Sequence, residues 1–107
     1  MAGYFTKYGD GGVDILPIAD LYKKDVRKLA KELGIPEKVI IKPPTAGLWP
    51  GQTDEAEMGI TYNELDDILE RMESKNKQVA SKELVEKVKK MIIKSEHKRQ
   101  LAKICYI

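Results

Sequence analysis

KPPTAGLWPGQTDEAEMGI, residues 42–60, has neither a helical nor a strand period, and it divides a chain whose other segments are patterned. It holds three of the five prolines and the only tryptophan. Connections of this length are uncommon inside compact domains, where they serve as lids or binding loops, or else as disordered linkers. A linker is poor in apolar and aromatic residues, whereas this stretch carries Leu48, Trp49, Met58 and Ile60. Residues 42–60 are therefore expected to form a functional lid loop.

The segments on either side read as helices. Upstream, Tyr22, Val26, Leu29, Ala30 and Leu33 fall on one apolar stripe, with Asp20 placed to cap it and Gly34 to end it. Pro36 to Ile41 predicts one or two further turns, with proline at the start. Downstream, Thr61 and Glu64 stand at capping-box spacing, and Leu65, Ile68, Leu69 and Met72 trace one face of a helix ending between Ser74 and Asn76. A further helix opens at Ser81, with Leu84, Val85, Val88, Met91 and Ile92 on one side and Lys82, Lys87, Lys89, Lys90 and Lys94 on the other.

Toward the start of the chain, Gly9-Asp10-Gly11-Gly12 marks a turn after the aromatic residues Tyr4, Phe5 and Tyr8. Val13 to Ile18 is apolar and β-branched, but Pro17 restricts it to an edge strand or an extended approach to a helix. One short strand with about four helices is an incomplete inventory, because a lone strand cannot satisfy its own backbone hydrogen bonds. The expected class is α/β, mostly helical with one short strand, as one edge of a larger sheet.

Composition narrows the setting. The 107 residues carry 19 basic and 17 acidic side chains, a net charge of +2, so bulk charge asks for no nucleic-acid partner. The single cysteine, Cys105, rules out an internal disulfide and a cysteine metal cage. No apolar run has the length of a membrane span, and residues 1–12 lack a signal-peptide core. A cytoplasmic chain with no membrane association is expected.

Several side chains carry a chemical reading beside a structural one. Lys7 and Asp14 flank the glycine-rich turn, where a backbone approaches a ligand closely; the same glycines serve equally as a plain turn. Lys23 opens the first helix, against the helix dipole, either to meet an anion or as a surface lysine beside Lys24. Thr45 follows two prolines that stiffen its backbone, so its hydroxyl is set either for a phosphate or for a local turn. His97-Lys98-Arg99 suits a helix C-terminus electrostatically and equally an anion site.

Read in order, YFTKYGDGGVDILPIADLYK, LAKELGIPEKVIIKPPTAGLWPGQTDEAEMGITYNELDDIL and SEHKR resemble the C-terminal segment of ammonia-dependent NAD synthetase, over essentially residues 1–107. The resemblance implies part of a Rossmann-like α/β fold, the adenine-nucleotide α-hydrolase type, working as a homodimer. It implies a ligase that uses ATP and Mg²⁺ to adenylate deamido-NAD, after which ammonia displaces AMP to give NAD. By the same resemblance, Lys7, Asp14, His97 and Lys98 contact deamido-NAD, Lys23 and Thr45 contact ATP phosphates, and residues 42–60 are the lid. The family's Ser-Gly-Gly-x-Asp-Ser phosphate loop is not among these residues, and its magnesium-binding glutamate falls just before Met1. The end, Gln100 to Ile107, lacks the family's proline-rich close. The segment alone is therefore expected to be inactive, with no catalytic or metal-ligating residue assigned, and to require a complementing N-terminal half. The alternative is a non-catalytic association module or a nucleotide-binding remnant.

Overall fold

Thr61 starts a helix as its spacing from Glu64 predicts. Its hydroxyl accepts from Glu64 N at 3.2 Å, while the Glu64 carboxylate accepts from Thr61 N at 3.0 Å. Two otherwise orphaned donors are satisfied reciprocally. The computed structural model, which describes residues 2–74 and 81–106, runs this helix over Tyr62–Glu73 with Ser74 as its C-cap; Asn76, the far limit of the expected end, lies outside the described residues. In chain order the helices are α1 (Lys23–Glu32), α2 (Glu37–Ile40), α3 (Asp54–Met58), α4 (Tyr62–Glu73) and α5 (Lys82–Lys94), with a 3₁₀ turn at Glu96–Arg99 after them.

The described chain forms two compact units. One is the segment from Pro17 to the end of α4; the other joins the residues up to Leu16 with α5 and the C-terminal residues after it. In the first, α1 packs on α4 and on α2. Leu65, Ile68 and Leu69 of α4 are buried with Met58 and Ile60 just upstream. Each contributes about 1.5–3 kcal/mol by leaving water.

The cap of α1 differs from expectation. The helix begins at Lys23 with Tyr22 as N-cap and no cap from a local side chain. Pro17–Asp20 is instead a turn, closed by Leu21 N donating to Ile18 O at 3.1 Å, which delays the helix past Asp20. The first turn is capped from α4, where the buried Asp66 accepts from Lys24 N at 2.9 Å. An acid on the inner face of α4 is thus satisfied by one orphan amide of α1, that of Lys24, and the Lys24–Glu70 ion pair lies one turn further along. Gly34 ends α1 as expected: its φ of 72° allows Ile35 N to reach back to Ala30 O at 2.9 Å.

No strand occurs among the described residues, which corrects the expected short strand at Val13–Ile18. Val13 and Asp14 form a bend and Pro17 enters the turn. With no other strand among the described residues, there is no ladder to satisfy extended backbone.

Residues 42–60 are more ordered than an unpatterned loop. Thr53 Oγ1 accepts from Ala56 N at 3.2 Å and starts α3, whose five residues are too few to show a period. Asp54 N donates to Pro44 O at 2.9 Å, so residues 44 and 54 form the neck of a closed loop.

In the other unit, α5 buries Val88 and half-buries Leu84, Val85, Met91 and Ile92, while Lys82, Lys89, Lys90 and Lys94 are exposed and Lys87, expected on the same solvent side, is half-buried. The helical stripe read from the sequence holds there.

Candidate functional site

The α1 helix, α2 and the start of the closed loop enclose an open groove of about 330 Å³. Val26, Ala30, Ile35, Val39 and Ile40 line it with apolar surface, and Lys23, Arg27, Lys42 and Thr45 supply polar groups; no acid lines it. Lys23 and Thr45, singled out separately in the sequence, are thereby brought into one concavity. The Lys23 ammonium also sits 5.3 Å from the centroid of the Tyr62 ring. That ring is held from both ends: Tyr62 Oη donates to Asp54 at 3.0 Å, and Tyr62 N donates to Glu55 at 2.9 Å. The first residues of α3 and α4 thus fix a surface on which a cation rests.

Thr45 is set by the loop itself. Its hydroxyl donates to Gln52 Oε1 at 3.0 Å and accepts from Gly47 N at 3.0 Å. Gln52, only 6 % exposed, also accepts from Leu48 N at 3.3 Å and donates to Glu57 at 3.0 Å. One buried amide therefore ties the two sides of the loop together, and it leaves Leu48 and Trp49 exposed at the tip. A single glutamine carries no sequence signal of such a role. Arg27 did carry one, because it stands four residues after Lys23 on a helix and so shares its face.

The remaining predicted residues belong to the other unit. His97 and Lys98 line a small concavity of about 210 Å³ with Ala2, Gly3, Met91, Lys94 and Ser95. His97 is exposed, with Nδ1 3.1 Å from Lys94 O. Lys98 Nζ donates to Gly3 O at 2.9 Å and to Phe5 O at 2.8 Å, and lies 5.6 Å from the Phe5 ring. The ammonium fastens residues 3–5 to the turn after α5. Lys7 stands at the start of the glycine-rich turn with its ammonium 5.2 Å from the Tyr8 ring, and Asp14 is exposed in the bend after that turn. Neither is part of the concavity lined by His97 and Lys98.

Ionisation is perturbed mainly where side chains hold the fold together. Burial first, then the nearby Glu73, Glu70 and Asp66 carboxylates, push the Tyr22 phenol up to about 12. Its buried oxygen finds no hydrogen-bond partner of good geometry. The Lys24 ammonium holds Glu70 below the usual carboxylate range, Thr61 does so for Glu64, and Arg99 for Glu96. Among the described residues no three of His, Cys, Asp or Glu converge in a way that could hold a metal ion. The donor set of the groove, cations and a hydroxyl, suits phosphate oxygens and does not fit Mg²⁺.

The chain belongs to the NAD synthase family, whose model matches residues 1–102. It is 52 % identical to the NH(3)-dependent NAD(+) synthetase of Archaeoglobus fulgidus over 107 residues, covering 100 % of this chain and 42 % of that protein. The enzyme of the same name from Pyrococcus horikoshii is 51 % identical over 109 residues, covering 94 % of this chain and 42 % of the relative. Among solved structures, the NMN synthetase of Francisella tularensis superposes with a TM-score of 0.82 at 48 % identity, over 99 % of this chain and 42 % of that one. The chain thus spans about two-fifths of the length of these relatives. No described helix is long and apolar enough to cross a membrane.

Proposed function

We propose that these residues are the C-terminal part of an ammonia-dependent NAD synthetase, a cytoplasmic homodimeric ligase that uses ATP to adenylate deamido-NAD and ammonia to complete the amide. The observation that carries the reading is the groove in which Lys23 and Thr45 meet with no acid beside them. In it the Lys23 ammonium and the Thr45 hydroxyl hold ATP phosphate oxygens, which matches the chemistry of the side chains. Lys7, Asp14, His97 and Lys98 serve deamido-NAD, and residues 42–60 act as the lid that keeps water from the acyl-adenylate. In this reading the segment forms one portion of a Rossmann-like nucleotide-binding domain. Adenylation requires the phosphate loop and metal ligands of the family's N-terminal half, which these residues do not include, so the segment alone does not make NAD.

Isothermal titration of the purified chain with deamido-NAD and, separately, with ATP plus Mg²⁺ tests the reading. Saturable binding of ATP that is lost on Lys23→Ala or Thr45→Ala is the expected result. Binding untouched by either substitution would remove both residues from the phosphate site, and NAD formation by the chain alone would overturn the need for a complementing half.

A second reading, an association module without catalysis, draws on the apolar residues Val13, Ile15 and Leu16, which are 53 %, 75 % and 60 % exposed. It requires the mass in solution to rise with concentration; a constant monomer mass would dismiss it.

A further inference from the structure

Helix α5 ends at Lys94, and the 3₁₀ turn Glu96–Arg99 after it carries His97 and Lys98. The last carbonyls of a helix lack partners within it, and here Arg99 supplies one. Its Nη2 donates to Ile92 O at 2.6 Å and to the Glu96 carboxylate at 2.6 Å, while Nη1 donates to the Ser95 hydroxyl at 3.0 Å. Ser95 is buried, with that hydroxyl also 2.7 Å from Met91 O. The guanidinium at the end of the turn thus reaches back seven residues and straps the turn to the helix it leaves. One rigid fork meets three acceptors, and its charge sits at the negative end of the helix dipole. Both residues inside the strap are engaged in their turn. His97 Nδ1 lies 3.1 Å from Lys94 O. A carbonyl only accepts, so Nδ1 carries the proton and Nε2 is left as an acceptor on an exposed ring. Lys98 Nζ uses two of its three N–H donors on Gly3 O and Phe5 O.

We infer that Arg99 is a positioning residue of the deamido-NAD site: it straps residues 95–99 to the end of α5, and so sets the His97 tautomer and the reach of Lys98, without touching the substrate. The inference rests on the reading of His97 and Lys98 as deamido-NAD contacts and adds a residue that acts through them. It separates Arg99 from its two neighbours in His97-Lys98-Arg99, which the sequence alone leaves equivalent. An arginine that binds an anion turns its fork toward the ligand. This fork is turned inward onto a backbone carbonyl, a buried hydroxyl and a carboxylate, and the Glu96 charge beside it would repel an anion.

The test pairs calorimetric titration of the full chain with deamido-NAD against nitrogen NMR spectra of the imidazole, which report on His97 unambiguously because it is the only histidine. Both are taken on the unchanged protein, Arg99→Ala and Arg99→Lys, and the titration also on His97→Gln; thermal unfolding checks that each variant folds. In alkaline buffer, where imidazole is neutral, the unchanged protein should hold the Nδ1–H form. Arg99→Ala should return the ring to the Nε2–H form that free histidine side chains prefer. Arg99→Ala and Arg99→Lys should each weaken deamido-NAD by about tenfold, because lysine keeps the charge but not the fork. Full affinity in Arg99→Lys with loss in Arg99→Ala would overturn the inference, since charge alone would then suffice. An Nδ1–H form that persists in Arg99→Ala overturns it whether or not binding weakens, and so does an unchanged protein in the Nε2–H form. Binding unmoved by Arg99→Ala but weakened by His97→Gln overturns it as well. Should Arg99→Ala fail to fold, Arg99→Lys and the spectrum of the unchanged protein decide by the same criteria. A ring that changes form in Arg99→Ala, in a chain whose deamido-NAD binding is absent or untouched by His97→Gln, would sustain the hold of Arg99 on the turn and remove the substrate reading of His97 instead.

Discussion

Two segments of this chain each combine apolar residues with proline, yet they end up in opposite states. Residues 42–60 close on themselves: Asp54 N reaches Pro44 O, Gln52 bonds across the loop, and Met58 and Ile60 are buried. Residues 13–18 make no such closure, and Val13, Ile15, Leu16 and Ile18 are 49–75 % exposed. The difference is where the hydrogen-bond partners reside. A loop can satisfy its polar groups with residues a few positions away, whereas an extended apolar run needs another strand beside it. The first is self-sufficient within the described residues, and the second is not.

Paired truncations of one residue type give the largest separation. Ile60→Ala should destabilise the chain by about 2–4 kcal/mol, because it empties a buried site, while Ile15→Ala should stay within about 0.5 kcal/mol. Urea midpoints of the two variants decide the matter, and equal shifts would mean that residues 13–18 are packed in solution. Next in size, Gln52→Ala should cost about 2 kcal/mol, since it strands the Leu48 amide and the Thr45 hydroxyl. It should also raise acrylamide quenching of Trp49, the only tryptophan and so an unambiguous reporter on the loop. Unaltered quenching would show that the neck at Pro44 and Asp54 holds the loop without the glutamine.

The smallest effect concerns acid. Thr61→Ala should cost about 1 kcal/mol through loss of the capping box. Glu64, Glu70 and Glu96 are all held below the ordinary carboxylate range, so the unfolded chain binds protons first as pH falls. Their stabilisation is complete above the unfolded pKa of about 4.3 and fades as pH drops through the lower folded values. Thr61→Ala should flatten this acid limb for Glu64. A limb of unchanged steepness in the variant would place the pH dependence with Glu70 and Glu96.

Local chemistry was legible in the sequence, and long-range partnership was not. The capping box, the stop at Gly34 and the stripe of α5 each depend on residues within a turn or two of one another, and all three are present. The start of α1 was misplaced because its cap, Asp66, lies 42 residues away on another helix. Helix α3 escaped because five residues do not complete a readable period. For the groove, Lys23 and Thr45 stood out by position, and Arg27 was recoverable from its spacing to Lys23. Lys42 enters only because α2 folds back along α1. Gln52 had no signal at all, since its importance comes from burial.

Gly3 has a consequence for how this chain tolerates change. Its φ of 73° lies in the left-handed region, and a Cβ built there would fall inside the Ser95 side chain. Ser95 is itself buried, with its hydroxyl 2.7 Å from Met91 O and accepting from Arg99 at 3.0 Å, so it cannot step aside. A position two residues from the start of the sequence is therefore as exacting as one in the core. A mutational scan of residues 2–8 would find an abrupt wall at Gly3, and a randomised library is better begun after Phe5.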